Sequence, residues 1–348
     1  MKASVRNLLS LLFIAFTLGL ILITAFGSND LVNAWEVLFT LHGGWLFGAL
    51  CCWFSYMFFD ALGYFFFLRK QNHPVPLGFA VYVSLIGFYY ANITPGASGG
   101  QPMQVYYMKK RDIPIGIGTS GISMKLMCNQ FITVLLSTIL WIANADFVNV
   151  QLAGVKWAIV IGWIVNFAAV PLILLVALHR PLVQSLLNFV VRMGAKMHLI
   201  KNAETTTLHL SHLLDTYHAS VLRLGRDPWH ILFQMLLSVM SMLGLTCVII
   251  CVYQAFGLSG TPWYQLLTLS FLLYISASYT PLPGASGAQE GGFMVFYRGL
   301  FTAGTLGLAL LVWRFMTYYL FLLIGAAITI VMQIRSNQKR SKMDAVGK

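Results

Sequence analysis

Apolar residues run along this chain in blocks too long for the elements of a soluble domain. Blocks at about 8–26, 44–68, 115–143, 157–178, 229–256 and 304–332 each predict a helix able to cross a bilayer. Two further apolar runs, 77–93 and 264–280, stop against Pro95 and against Pro281-Leu282-Pro283. Proline lacks the N–H that helix continuation needs, so both runs should end there. The polar stretch 179–227 separates the two sets of blocks. Within it Leu182, Leu186, Phe189, Val190 and Met193 recur at helical spacing, which predicts an amphipathic helix. We expect two helices here, on the inner membrane face or under the bundle.

Lys and Arg positions set the expected orientation. Lys2 and Arg6 place the N-terminus inside, and the loop 27–43 carries no Lys or Arg. Arg69-Lys70 and Lys109-Lys110-Arg111 both belong inside, so 77–108 should enter and leave on one face as a re-entrant hairpin. Arg180, Arg192, Lys196, Lys201, Arg223 and Arg226 make 179–227 cytoplasmic, and Arg335, Lys339, Arg340 and Lys342 do the same for the C-terminus. The second run, 264–280, then enters from outside and returns outward through Phe293–Phe301. The expected fold is an all-α polytopic membrane protein in one domain, 1–348. Repeat one spans about 44–143, and repeat two, about 229–332, is inverted relative to it. The intervals agree: Gly44 to Pro95 and Trp229 to Pro283.

Both hairpin tips carry one motif. Residues 95–101 read Pro-Gly-Ala-Ser-Gly-Gly-Gln and residues 283–289 read Pro-Gly-Ala-Ser-Gly-Ala-Gln, 188 positions apart. Irregular backbone at membrane depth is tolerated only where protein buries it or it lines a wet cavity. Paired interruptions in corresponding places of two halves point to a transporter-like binding site. Each tip precedes a helix, whose positive N-terminal end attracts phosphate or carboxylate. Free backbone N–H groups at Gly96, Gly99, Gly100, Gly284 and Gly287, hydroxyls of Ser98 and Ser286, and amides of Gln101 and Gln289 are the candidate contacts. Small residues for close helix packing are the plainer reading of such a motif.

Intramembrane charges add candidates. Glu290 falls in the first turn after the second tip, as an N-terminal cap or as a partner for a cationic headgroup or proton. Arg314 lies about ten residues into the last span and suits a lipid phosphate. Asp60, in mid-span, forms either an ion pair with Lys125 or part of a substrate site or proton relay. Arg298 is expected at the outer interface.

Composition narrows the classes. Of 348 residues, 58% are hydrophobic and 9% charged, with mean hydropathy +0.77, far from a soluble composition. The net charge of +12 comes from loop ends rather than a basic, aromatic-rich patch, which argues against nucleic acid. Five cysteines, Cys51, Cys52, Cys128, Cys247 and Cys251, fall inside apolar segments as filler. His209, His212 and His218 lack partners for a metal site. No P-loop, dinucleotide fingerprint, nucleophile elbow or HExxH motif occurs, so no cofactor, metal or catalytic residue is expected.

Thr94–Gln101 with Tyr106-Tyr107-Met108, and Pro281–Gly292, resemble the membrane region of the lysylphosphatidylglycerol synthase family, including YbhN-like proteins, over about 8–332. The resemblance implies the flippase part of bacterial multiple peptide resistance factors. That part moves aminoacylated phosphatidylglycerol to the outer leaflet and confers resistance to cationic peptides. It implies a bacterial plasma membrane, a phospholipid partner, and Glu290 as the acidic position of the second motif. Many members carry an arginine beside the glycine motif, where Gln104 and Gln289 stand here. The 49 residues of 179–227 and the 16 after 332 are too few for the soluble aminoacyl transferase domain of that family.

Three functions stay open at this point: a lipid translocase; the membrane subunit of aminoacyl-lipid or glycosyl-lipid synthesis with a soluble partner; and a proton-coupled solute transporter. A homodimer is compatible with each.

Overall fold

The computed structural model describes residues 37–197, 202–302 and 304–331, with the isolated position Gly19. The expected first span and the basic C-terminal tail lie outside the described residues. Every regular element among those described is helical. Five helices are long and apolar enough to cross a membrane: Gly43–Lys70, Ile115–Ala143, Lys156–Leu178, Pro228–Ala255 and Leu306–Val331. The protein is an all-α multi-pass membrane protein.

Prolines stand at the entrances of two helices. Pro76 precedes α2 (Leu77–Ile93) after α1 (Gly43–Lys70), and Pro114 precedes α4 (Ile115–Ala143). Their fixed φ suits a helix entrance, where the missing N–H is not needed. Between them, α3 (Gly100–Lys109) completes the first hairpin beyond the tip Pro95–Ala97. At 17 residues α2 is about 25 Å long, short of the ~30 Å hydrocarbon core.

A short helix, α5 (Ala145–Gln151), stands in the expected outer loop before α6 (Lys156–Leu178). The stretch 179–227 forms the two expected helices, α7 (Arg180–Lys196) and α8 (Ala203–Gly225). The apolar stripe of α7 is exposed, from Leu182 to Met193. α8 packs on the start of α4: the hydroxyls of Ser120 and Ser220 bond at 2.7 Å, and Gly116 admits Thr216 and the Leu213 carbonyl.

The block 229–256, expected as one helix, divides at Cys247 into α9 (Pro228–Thr246) and α10 (Val248–Ala255). Asp227 caps α9, accepting the His230 N–H at 3.1 Å. Then α11 (Trp263–Ala277), the tip Pro283–Ala285 and α12 (Ala288–Phe296) form the second hairpin. It ends earlier than the expected Phe301. The last span opens as α13 (Leu306–Arg314) and passes through a π turn, Phe315–Tyr319. The element order of 43–143 therefore recurs over 228–331, with the first span of the second copy in two pieces.

α1 and the α9–α10 pair run antiparallel. Contacts step in opposite directions along them: Lys70 with Asp227, the Gly63 carbonyl with Gln234, the Tyr56 carbonyl with Ser241, Cys52 with Cys251, and the His42 N–H with the Ala255 carbonyl. Gly244 allows this approach, since a Cβ there would stand 2.6 Å from the Tyr56 nitrogen. Two large buried clusters flank this seam. One centres on α10, α11 and α13 around Phe293 and Trp313, the other on α1, α2 and α4 around Phe67 and Met108.

Candidate functional site

The two tips share one backbone turn and touch. Gly96 and Ala97 have φ of 57° and 56°, and Gly284 and Ala285 have φ of 60° and 50°. Alanine is rarely held left-handed, so two copies of the same strained pair mark a constrained geometry. The Gly96 N–H donates to the Pro281 carbonyl at 2.8 Å, tying hairpin to hairpin. Divergence begins at the serine: Ser98 is helical (ψ −20°), whereas Ser286 is extended (ψ 143°) and Gly287 turns left-handed at φ 87°.

A cavity of about 300 Å³ lies between the tips. Gly96 and Ala97 line it from one side, Gly284 and Ala285 from the other. It reaches Tyr56, about halfway along α1. Six aromatic residues contribute to its wall: Tyr56, Phe88, Tyr274, Trp313, Tyr318 and Phe321. Polar groups come from Asn92, Thr246, Ser270, Ser278, Thr280, Gln289 and Thr317. Arg314 is the charged residue of the lining.

Arg314 and Glu290 pair rather than standing free for a ligand. Arg314 Nη2 lies 2.6 Å from Glu290 Oε1, Nε donates to the same oxygen at 2.7 Å, and Nη2 also donates to the Gly284 carbonyl at 3.1 Å. The side chains are only 4% and 1% exposed, so each charge needs the other. The other Glu290 oxygen accepts the Gly287 N–H at 2.6 Å. Glu290 thus caps the helix, as one expectation had it, and also pairs with Arg314, which the sequence did not foretell. The Arg314 guanidinium stacks 4.9 Å from the Tyr318 ring. The π turn directly after Arg314 widens the helix here, a feature common near functional sites.

Several expected contacts are otherwise engaged. Ser98 and Ser286 donate their hydroxyls to Pro95 and Pro283 carbonyls, both at 2.9 Å, because a serine three residues on closes its own turn. The tip N–H groups are largely committed too. Ala97 and Ala285 close their turns, Gly99 bonds the Thr94 hydroxyl at 2.8 Å, and Gly287 bonds Glu290. Gly100 serves packing, since a Cβ there would lie 2.7 Å from the Gly87 carbonyl. Gln101 is exposed and off the cavity wall, as is Ser98. Gln104 turns inward to the Val83 carbonyl and the Tyr64 hydroxyl, both at 3.1 Å, rather than toward the cavity. Of the expected site residues, the cavity gathers Gly96, Gly284, Gln289 and Arg314, with Glu290 behind Arg314. Arg298 is exposed, and its carbonyl accepts from Gln151.

Asp60 and Lys125 form a second buried pair at 2.6 Å, with exposures of 5% and 7%. Lys125 also donates to the Asp60 carbonyl at 2.9 Å and sits 3.6 Å from the Tyr64 ring centre. The second tip's approach is held from outside the repeat. Asn166 on α6 donates to the Ile275 carbonyl and to the Ser278 hydroxyl, and Gln130 donates to the Asn166 carbonyl at 3.2 Å.

The family model described as the lysylphosphatidylglycerol synthase TM region matches residues 7–325. The chain belongs to that family. No curated protein and no solved structure matches it. Within this lysylphosphatidylglycerol synthase membrane region, sequence reasoning missed the aromatic wall, Asn92, Thr246 and the Asn166 clamp. The aromatics were hidden by abundance, with 14% of the chain aromatic. Asn92 and Asn166 carried a signal that was available, as amides inside apolar helices that need buried partners.

Proposed function

We propose that this protein is a flippase-like lipid translocase. It moves a phospholipid with an anionic or aminoacylated headgroup, such as lysylphosphatidylglycerol, between leaflets of the bacterial plasma membrane, with both termini cytoplasmic. In the cell this contributes to resistance against cationic peptides, with a soluble synthase supplying the substrate.

The cavity between the tips carries the proposal. Its volume suits a headgroup and not a whole phospholipid, so the acyl tails stay in the bilayer. Of the Arg314 donors, Nε and Nη2 are taken by Glu290 and Gly284, which leaves Nη1 to meet a phosphate. The aromatic wall offers π faces to an ammonium, which aromatic cages favour. The antiparallel course of α1 and α9–α10 supports an inverted repeat, in which each hairpin opens toward a different face.

The Asp60–Lys125 pair favours a second reading, a proton-coupled solute transporter, because a buried carboxylate and lysine inside the spans are the groups proton relays use.

The deciding experiment reconstitutes the protein in liposomes with headgroup-labelled phosphatidylglycerol or its lysyl form, and follows leaflet exposure with an impermeant quencher. Translocation should accelerate, and both Glu290→Gln and Gln289→Ala should slow it. Folded protein that moves neither lipid overturns the proposal.

A further inference from the structure

A second cavity, of about 460 Å³, lies away from the tips. Its walls come from α4, α6, the end of α8 and the start of α9. Met124, Ala177 and Leu224 are its buried lining, with Met127 partly buried beside them. Leu174, Leu178 and Leu222, with exposures of 37%, 57% and 54%, form an apolar rim.

Three observations specify what fits. First, the groove opens beside α6, whose apolar window is only 17% buried, the lowest of the five spanning candidates. That helix faces lipid, so the groove is continuous with the hydrocarbon phase. Second, Pro171 stands inside α6 one turn before the groove residues. It removes the hydrogen bond to the Phe167 carbonyl and loosens the helix where the wall parts from α8. Third, Arg226 is the one charged residue of the lining. It is exposed and forms no ion pair among the described residues. Its neighbour Asp227 is taken by Lys70. An apolar slot with a free guanidinium at its mouth matches a lipid: chain in the slot, phosphate at the arginine.

We propose that this groove holds one acyl chain of an anionic phospholipid whose phosphate is contacted by Arg226. Bound there, the lipid joins α8 to the spanning helices α4 and α6, and it does so independently of the tip cavity. An Arg226 kept only to complement the negative end of α8 would need no ligand.

The test uses full-length protein in phosphatidylcholine nanodiscs. Each preparation contains a trace of phosphatidylglycerol or phosphatidylcholine with a diazirine in one acyl chain, and adducts are mapped by peptide mass spectrometry. Adducts on Met124 or Met127 should favour phosphatidylglycerol by about fivefold, the worth of one basic residue near an anionic headgroup. Arg226→Gln should equalise the two lipids, and Ala177→Trp should fill the slot and remove the adducts. Glu290→Gln should leave groove labelling unchanged, which separates this site from the translocation site. Equal labelling of both lipids in the native protein overturns the proposal. So does cross-linking of photoreactive leucine at Leu174 to residues 8–26, which would make this chain's own segment the occupant.

Discussion

Gly96 and Pro281 fasten the two hairpins to each other through one backbone hydrogen bond of 2.8 Å. The bond depends on the left-handed turn at Gly96, which aims its N–H across the gap between tips. The equivalent Gly284 has the same backbone but a different neighbourhood. A Cβ at Gly96 meets nothing within 4 Å, whereas one at Gly284 collides with the Tyr318 ring. Tyr318 in turn donates to the Asn92 carbonyl at 3.2 Å, so it is a second tie between the halves.

Gly96→Ala should therefore cost only the left-handed penalty, about 1–2 kcal/mol. Gly284→Ala should cost more, because it also displaces Tyr318 from Asn92. Thermal unfolding in one detergent checks the order. Equal losses would mean that Tyr318 moves aside freely.

Arg314→Lys keeps the charge but cannot reproduce contacts from Nε and Nη2 to Glu290 together with one to Gly284. The protein should stay folded, since the Glu290 charge retains a cation. Losing one or two charge-assisted bonds, each about 1.5–3 kcal/mol, should lower headgroup translocation by at least about tenfold. Quencher-accessibility rates beside a melting curve separate the two effects. Unchanged rates would show that the arginine is structural.

His218 gives the α7–α8 layer a pH dependence. It is buried, its Nε2 has no hydrogen-bond partner among the described residues, and Arg180 and Asp215 are the charges that act on it. Burial, reinforced by Arg180, holds its pKa below the usual 6.5, with Asp215 opposing. The folded state thus prefers neutral histidine. Its stability contribution is full above the unfolded value and falls as pH drops from 6.5 toward the lower folded value. Hydrogen exchange across 203–225, corrected for intrinsic rates, should quicken as the pH falls below 6.5. His218→Gln should abolish that acceleration. A variant with the same acceleration would place the pH sensor elsewhere.

The architecture was legible because its signals are local. Long apolar runs gave the spans, and Pro95 and Pro281 marked where the two hairpin runs stop. The tip motif stood out through repetition. The site was less legible because its chemistry is long-range. Nothing in the spacing of Glu290 and Arg314 says that they pair across the hairpin and the last span; the reading gave Arg314 to a ligand and Glu290 to a cap or a ligand. The serines at the tips are the opposite case. Ser98 and Ser286 satisfy themselves within three residues, a local competition that the search for ligand donors passed over. The break at Cys247 and the π turn after Arg314 have no composition signature.

Asp60 and Lys125 allow the sharpest test of a buried charge. Lys125 has three partners: the Asp60 carboxylate at 2.6 Å, the Asp60 carbonyl at 2.9 Å and the Tyr64 face at 3.6 Å. Asp60→Asn removes the only negative charge among them. An ammonium left in that setting should destabilise the protein by roughly 3–5 kcal/mol. Asp60→Asn with Lys125→Met removes both charges and should recover most of the loss, because an apolar side chain of similar length fills the space. Denaturation of the single and double variants in the same detergent gives the comparison. A single variant as stable as the native protein would mean that Lys125 sheds its proton once Asp60 is neutral. The pair would then be a proton-exchanging couple, and that result would favour the solute-transporter reading over the lipid one.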